Sequence, residues 1–133
     1  MAISACSGNR PNNLGVNDGT LTPCPESPNC VSSFADKADE QHAIAAIAYS
    51  ENSKIIEQLK AVLEEVGNAE VVSASENYIH AEFVSTLMRF VDDVEFYIVP
   101  EQQVIHVRSA SRLGKGDMGV NRQRIEMLRS QIK

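Results

Sequence analysis

Tyr78-Ile79-His80-Ala81-Glu82-Phe83-Val84 and Asp92-Asp93-Val94-Glu95-Phe96-Tyr97-Ile98-Val99 are the stretches that decide the fold. Apolar and polar residues alternate in both, which is typical of strands with one face against a core. The pattern predicts strands near residues 77–86 and 92–99, with two more near 69–75 and 103–110. The connections between them are short, so we expect neighbouring strands to pair antiparallel.

Two helices complete this prediction. An apolar stripe from Ile55 to Val66 has helical spacing, with Asn52 or Ser53 as a candidate cap and Gly67 at its end. A second helix is predicted over about 118–132, capped by Asp117, and residues 43–49 could form a first strand. The order β-α-β-β-β-β-α predicts an α+β fold, with a mainly antiparallel sheet of about five strands and two helices on one face.

The alternation also predicts which side chains share a face of the sheet. The apolar side chains that should face the helices are Ile79, Ala81, Phe83, Val94, Phe96, Ile98, Ile105 and Val107. The opposite, polar face should carry Tyr78, His80, Glu82, Asp93, Glu95, Tyr97, His106 and Arg108. Antiparallel sheets commonly leave one face in water, so we expect this face to be solvated. Contact with a ligand or partner is the alternative, and a metal site is not predicted.

The N-terminus resembles a bacterial lipoprotein junction. Ile3-Ser4-Ala5-Cys6 has the aliphatic, small, small, Cys order of a lipobox, in which the Cys carries lipid at a membrane surface. We expect the numbering to begin inside a trimmed signal peptide. Residues 7–28 are rich in Gly, Pro and Asn, so residues 1–22 are interpreted as signal-peptide remnant and tether, and residues 23–133 as one domain. A chance Cys near a cytosolic N-terminus is the alternative.

Cys24 and Cys30 are the other two cysteines of the chain. Their spacing, with five residues between them, does not match a zinc knuckle or a thioredoxin-like site. In an exported protein we expect a disulfide here; in a cytosolic one they would be free thiols. Lipid on Cys6 and one disulfide would together account for the odd number of cysteines.

Charge is unevenly distributed along the chain. The formal net charge is −6, made up of −11 over residues 1–107 and +5 over residues 108–133. An acidic chain argues against nucleic acid as a partner. The basic C-terminal part either packs near the acidic body or forms an anion-binding patch. No apolar run is long enough to predict a transmembrane segment.

The segment 108–122 joins the last strand to the last helix and is the second candidate site. Its three Arg, two Ser and Gly-rich turn at a helix N-terminus could form an anion cradle, or could be structural ion pairs and backbone contacts. No catalytic motif or cofactor-binding fingerprint occurs, so no catalytic residue, metal or cofactor is predicted. The predicted ligand-binding residues are Arg89, Asp92, Asp93, Arg108, Ser109, Ser111, Arg112, Asp117, Asn121 and Arg122. Arg108, Arg112 and Arg122 would hold an anion, the Asp residues would orient them, and Ser109 and Ser111 would donate hydrogen bonds.

Several blocks resemble the family known as domain of unknown function 1499. The blocks are Cys24-Pro25-Glu26-Ser27-Pro28-Asn29-Cys30-Val31-Ser32-Ser33, Ala81-Glu82-Phe83-Val84-Ser85, Met88-Arg89-Phe90-Val91-Asp92-Asp93-Val94-Glu95-Phe96, Arg108-Ser109-Ala110-Ser111-Arg112 and Asp117-Met118-Gly119-Val120-Asn121-Arg122-Gln123-Arg124. The resemblance runs from about Leu21 to the C-terminus. It implies no activity, but it places these Arg, Asp and Asn blocks in the family's characteristic pattern and fits exported or lipid-anchored proteins.

The leading hypothesis is a periplasm-facing lipoprotein of the bacterial envelope, attached to the membrane surface through Cys6. Its domain would bind an anionic small molecule or an envelope protein through the Arg/Asp/Ser cluster. One alternative is an enzyme that acts on an envelope or small-molecule substrate through the same cluster. It would need a carboxylate of raised pKa or a Ser beside a base. The other alternative is a structural or assembly module that uses the polar sheet face.

Overall fold

The computed structural model describes residues 8–51, 54–85, 89–114 and 116–133. It confirms the α+β prediction, with two helices and six strands. The elements in chain order are β1 Cys30–Ser32, β2 Ile47–Ala48, α1 Ile55–Glu65, β3 Ala69–Ala74, β4 Tyr78–Val84, β5 Val91–Val99, β6 Val104–Ser111 and α2 Val120–Gln131.

The sheet is antiparallel throughout its named pairs, in the order β1-β6-β5-β4-β3, and β2 also pairs with β6. The predicted first strand over 43–49 is reduced to Ile47–Ala48. An additional strand, Cys30–Ser32, lies antiparallel to the end of β6, with Cys30 opposite Ala110. Three residues are too few to show an alternating pattern, so this strand gave no signal in the sequence.

Both helices pack on the same face of the sheet. Helix α1 buries Leu59, Val62 and Leu63, and the chain leaves it through Gly67, whose φ of +87° lies in the left-handed region. Helix α2 buries Ile125 and Leu128. The predicted caps Asn52 and Ser53 lie outside the described residues.

The core forms between these helices and the apolar side of the strands, as the alternation predicts. The register places Ile79 opposite Phe96, and Phe96 opposite Val107, so that their side chains share one face. These three side chains are fully buried, in one cluster with Leu59 and Ile125. The predicted parity of the strands is therefore confirmed.

The prediction that the other face of the sheet is solvated is wrong. Its five central polar side chains are each less than a tenth exposed: His80, Glu82, Asp93, Glu95 and Arg108. Residues 8–23, here called the N-terminal segment, contribute groups to this face. The Arg10 guanidinium donates to Glu82, the Gly15 N–H donates to Glu95, and the Pro23 carbonyl accepts from Arg108.

The composition of the N-terminal segment explains why its sequence predicts a linker. It has no apolar periodicity, so its sequence does not show that it packs. Its attachment to the sheet is polar instead, through Arg10 and backbone groups, together with one fully buried side chain, Leu21. The described part of the predicted tether therefore lies against the domain. Cys6 lies outside the described residues.

A disulfide joins Cys24 to Cys30, with 5.7 Å between their Cα atoms. It closes the loop that leads from the N-terminal segment into β1. Neither helix of the described chain is long and apolar enough to cross a bilayer.

Candidate functional site

The sheet divides the predicted site residues between its two faces. Asp92 pairs with Ser111 and Asp93 with Ala110, and successive residues of a strand point to opposite sides. The helix-side cluster contains Asp92, Ser109, Ser111, Asp117 and Asn121, together with Arg124. The outer-face cluster contains Asp93, Arg108 and Arg112, together with Arg10, His80, Glu82 and Glu95. A single contiguous site made from all ten predicted residues is therefore not formed.

Asn121 is the centre of the helix-side cluster and is fully buried in the first turn of α2. Its amide nitrogen donates to Asp117 Oδ2 at 2.7 Å, to Ser111 Oγ at 3.0 Å and to the Asn29 carbonyl at 3.3 Å. Its amide oxygen accepts from Ser109 Oγ at 2.6 Å. The side chain thus joins β6, the loop before α2 and the disulfide loop, and such satisfied buried networks hold one arrangement.

The prediction that Asp117 is the N-cap of α2 is wrong, because Gly119 occupies that position. The Asp117 carboxylate nevertheless binds the beginning of the helix from two residues further back. Its Oδ1 accepts from the Gly119 N–H at 2.8 Å, and its Oδ2 accepts from the Asn121 N–H at 3.1 Å. Burial works to raise the pKa of Asp117, but the hydrogen bonds from Asn121 and Gly119 outweigh it and hold that pKa below its usual value. The carboxylate therefore stays charged and has a structural role.

Arg124 belongs to this cluster although it was not among the predicted residues. Its Nη2 lies 2.8 Å from Asp92 Oδ2, and its Nη1 donates to Asn121 Oδ1 at 2.8 Å and to Ser109 Oγ at 3.1 Å. Its guanidinium also lies 4.7 Å from the centroid of the Phe83 ring, a cation–π distance. The sequence feature that could have identified Arg124 is its spacing of three residues from Asn121, which places both side chains on one face of the helix.

A pocket of about 230 Å³ opens beside the helix-side cluster, and we call it the helix-end pocket. Asp92 and Arg124 line it, together with Ser111 and Asp117. Its apolar walls include three side chains that are each more than 40% exposed: Phe90, Leu113 and Val120. Exposed apolar side chains are therefore grouped around a buried ion pair.

The outer-face cluster is organised by Arg112. Its guanidinium binds Asp93 through both Nε (2.7 Å to Oδ2) and Nη2 (2.9 Å to Oδ1), and Nη2 also donates to Glu82 at 2.5 Å. Arg10 adds a second donor to Glu82 at 2.6 Å, and His80 lies 2.8 Å from Asp93. Burial works to raise the pKa of Glu82 and of Asp93. Hydrogen bonds from the arginines, and from His80 to Asp93, keep both pKa values below their usual range.

Glu95 and Arg108 are the less completely paired members of the outer-face cluster. Glu95 Oε2 accepts from the Tyr78 hydroxyl at 2.6 Å and from the Gly15 N–H at 2.7 Å. Burial, and then the nearby Glu95 carboxylate, raise the pKa of Tyr78, so its hydroxyl remains a donor. Arg108 Nη1 lies 3.9 Å from Glu95 Oε1, which is too long for a hydrogen bond.

His80, Glu82 and Asp93 offer three metal-ligand atoms within 4.8 Å of one another. Both carboxylates, however, already bind guanidinium groups, so a cation would have to displace Arg10 and Arg112. The geometry therefore favours an ion-pair network over a metal centre.

The two remaining predicted residues are Arg122 and Arg89. Arg122 Nη2 donates to the carbonyls of Glu40 and Gln41, at 3.2 and 3.3 Å. Arg89 has a φ of +57°, and its N–H donates to the Ser85 carbonyl in the turn before β5. The three arginines proposed to hold one anion are thus not brought together, since Arg122 is separate from Arg108 and Arg112.

The features required by the enzyme alternative are not concentrated in either cluster. Carboxylates with lowered pKa values (Glu82, Asp93 and Asp117) are poor proton donors at neutral pH. A Ser beside a base does occur elsewhere, where Ser33 Oγ lies 2.9 Å from His106 Nδ1. That Oγ also accepts from the Val107 N–H at 2.8 Å, so it joins the chain after β1 to β6.

The fold and these clusters define a small α+β domain with a buried polar network on each face of its sheet. A family described as protein of unknown function, DUF1499, matches residues 20–132, and the chain belongs to this family. The match confirms the resemblance carried by the sequence blocks. No curated protein and no solved structure matches the chain.

Proposed function

We propose that this chain is an envelope-associated binding module whose ligand occupies the helix-end pocket. The observation that supports the proposal most strongly is the grouping of Phe90, Leu113 and Val120, each over 40% exposed, around the opening. A pocket with apolar walls and a few convergent polar groups is the usual form of a small-molecule site.

The pocket's chemistry indicates an amphipathic ligand. The exposed apolar side chains would receive an aliphatic or aromatic group, whereas the ion pair of Asp92 and Arg124, which also lines the pocket, presents an acceptor and a donor side by side. An amide group presents the complementary donor and acceptor pair. We therefore infer a small ligand that combines an apolar group with an amide-like group.

A pair of matched variants tests the assignment of the pocket. The probe is N-acetyl-leucine amide, titrated into ¹⁵N-labelled protein and followed by NMR. We expect shifts in the backbone signals of Phe90, Leu113 and Val120. Val120→Thr should weaken binding about fivefold, because part of one apolar contact, worth about 1 kcal/mol, is lost. Val71→Thr makes the same change at a 38% exposed site on β3 and should leave affinity unchanged. Equal effects of the two variants, or no shifts around the pocket, would contradict the assignment.

The proposed location rests on separate support. The Ile3-Ser4-Ala5-Cys6 order resembles a lipobox, and a disulfide such as Cys24–Cys30 is typical of oxidising compartments. The test is the intact mass of the protein expressed with a full signal sequence in bacteria. We expect a lipid mass on Cys6 and two protons fewer at Cys24 and Cys30. An unmodified Cys6 with two free thiols would overturn the envelope location.

A further inference from the structure

A second cavity, of about 290 Å³, lies between the N-terminal segment and the outer face of the sheet. The N-terminal segment contributes Asn9, Pro11, Asn13 and Pro23 to its walls, and the sheet side contributes Arg108, Arg112 and the Asp93 carboxylate, which Arg112 already binds. We propose that this cavity binds a singly charged phosphate group, as found in a phosphodiester, through Arg108 and Arg112. Ser111 lines both this cavity and the helix-end pocket, but the two arginines of the proposed site belong to this cavity alone.

Arg108 is the first support for this site, because it is a buried cation with incomplete pairing. The residue is 6% exposed, and its Nε has no hydrogen-bond partner among the described residues. Its remaining contacts are long: 3.4 Å from Nη2 to the Pro23 carbonyl and 3.9 Å from Nη1 to Glu95. A buried charge is costly unless it is paired, so a bound oxyanion would complete the coordination of this guanidinium.

Arg112 supplies a second unmet donor. Its side chain is 2% exposed, and while Nε and Nη2 bind carboxylates, Nη1 is buried without a partner in the described part of the chain. Two arginines that line the same cavity therefore each contain a buried donor without a partner among the described residues. Guanidinium groups suit phosphate oxygens, with which they form paired hydrogen bonds.

The charge of the cluster limits which anion fits. Arg10, Arg108 and Arg112 already face Glu82, Asp93 and Glu95, so the cluster is balanced before any ligand binds. A bound dianion would add two uncompensated charges, whereas a phosphodiester adds one. Asn9 and Asn13 also line the cavity, and the side-chain amide of an asparagine is an uncharged donor that suits a monoanion.

A phosphodiester could come from a phospholipid headgroup or from a soluble molecule. The experiment uses the full 133-residue chain with Cys6→Ser, so that no lipid is attached. The probes are glycerophosphoglycerol in solution and vesicles of phosphatidylglycerol. Arginine Nε–H signals in ¹⁵N NMR report the soluble probe, and co-sedimentation reports the vesicles. We expect the Arg108 and Arg112 signals to shift with glycerophosphoglycerol.

Arg108→Gln should lower the affinity tenfold or more, since a charge-assisted hydrogen bond is lost. Arg122→Gln, which removes an equal charge outside the cavity, should leave it unchanged. Binding of both probes through Arg108 supports a lipid headgroup, and binding of glycerophosphoglycerol alone supports a soluble phosphodiester. Absence of Arg108 and Arg112 shifts in the Cys6→Ser chain overturns the proposal, and so does vesicle binding that persists in Arg108→Gln. If Arg108→Gln does not fold, the arginine Nε–H signals of the Cys6→Ser chain, which keeps Arg108, still show whether glycerophosphoglycerol binds at this cavity.

Discussion

Replacing Arg112 by Gln should be one of the most destabilising changes in the outer-face cluster. The Arg112 side chain is 2% exposed and provides two hydrogen bonds to Asp93 and one to Glu82. Without it, Asp93 stays buried with His80 as its remaining partner. Removing one member of a buried ion pair typically costs about 3–5 kcal/mol, because the other charge is left uncompensated. We expect a loss of this size in the free energy of unfolding at pH 7.

The pH dependence of this loss follows from the carboxylates. In the native protein the pKa values of Asp93 and Glu82 are held below their unfolded values of about 4. Their stabilising contribution is therefore present above pH 4 and is lost as the pH falls through the folded pKa values. In Arg112→Gln, burial acts on Asp93 with less opposition and should raise its folded pKa above its unfolded value. The variant then recovers stability as that carboxylate takes up a proton, so the difference between the two proteins should shrink from pH 7 to pH 4.

Urea unfolding monitored by circular dichroism at pH 7, 5.5 and 4 measures this difference. Arg122→Gln is the matched control. It removes an equal charge from a surface arginine that donates to the Glu40 and Gln41 carbonyls, so it should cost less than about 1 kcal/mol at each pH. A loss below about 1 kcal/mol for Arg112→Gln, or a loss that does not change with pH, would refute the reasoning.

Three further predictions follow from the polar networks and the disulfide. Asn121→Ala should cost about 3 kcal/mol in urea unfolding, because buried hydrogen-bonding groups around it lose their partner; a loss below 1 kcal/mol would contradict its central position. The Ser27 carbonyl and then Asp39 raise the pKa of His42, so its contribution to stability should be present below about pH 6.5 and be lost as the pH rises through the folded pKa. Asp39→Asn should weaken this pH dependence of the unfolding free energy. An unchanged pH dependence would show that the His42–Asp39 pair does not contribute to it. The double variant Cys24→Ser, Cys30→Ser should lose about 2 kcal/mol of unfolding free energy, because the disulfide closes a short loop with a sequence separation of six. A reductant should not change the stability of that variant.

The alternation of β4 and β5 was sufficient to predict which side chains face the helices. Period-two patterns fix the parity of a strand, and the observed pairing of Ile79 with Phe96 agrees with it. The contact of Asp117 with the beginning of α2 was also predictable, because short polar residues before a helix accept its first N–H groups, although Gly119 rather than Asp117 is the N-cap.

The covering of the polar face could not be predicted in the same way. Alternation shows that His80, Glu82 and Glu95 share a face, but it does not show what packs against them. Arg10 lies 72 residues from Glu82 in the chain, and nothing in the local pattern links the two. The division of Asp92 from Asp93 follows from the predicted strand, because successive side chains of a strand point to opposite faces, and the observed pairing agrees with it.

The contact between Arg10 and Glu82 limits how far the domain could move if Cys6 carries lipid. Only three residues separate Cys6 from Arg10, and four successive residue steps span at most about 14 Å. An anchor that close would hold the domain in a restricted orientation, with the outer face of the sheet towards the bilayer and both helices pointing away from it. A partner approaching from the aqueous side would then meet α1 and α2 first, and lengthening the chain between Cys6 and Arg10 would remove that preference without altering the fold.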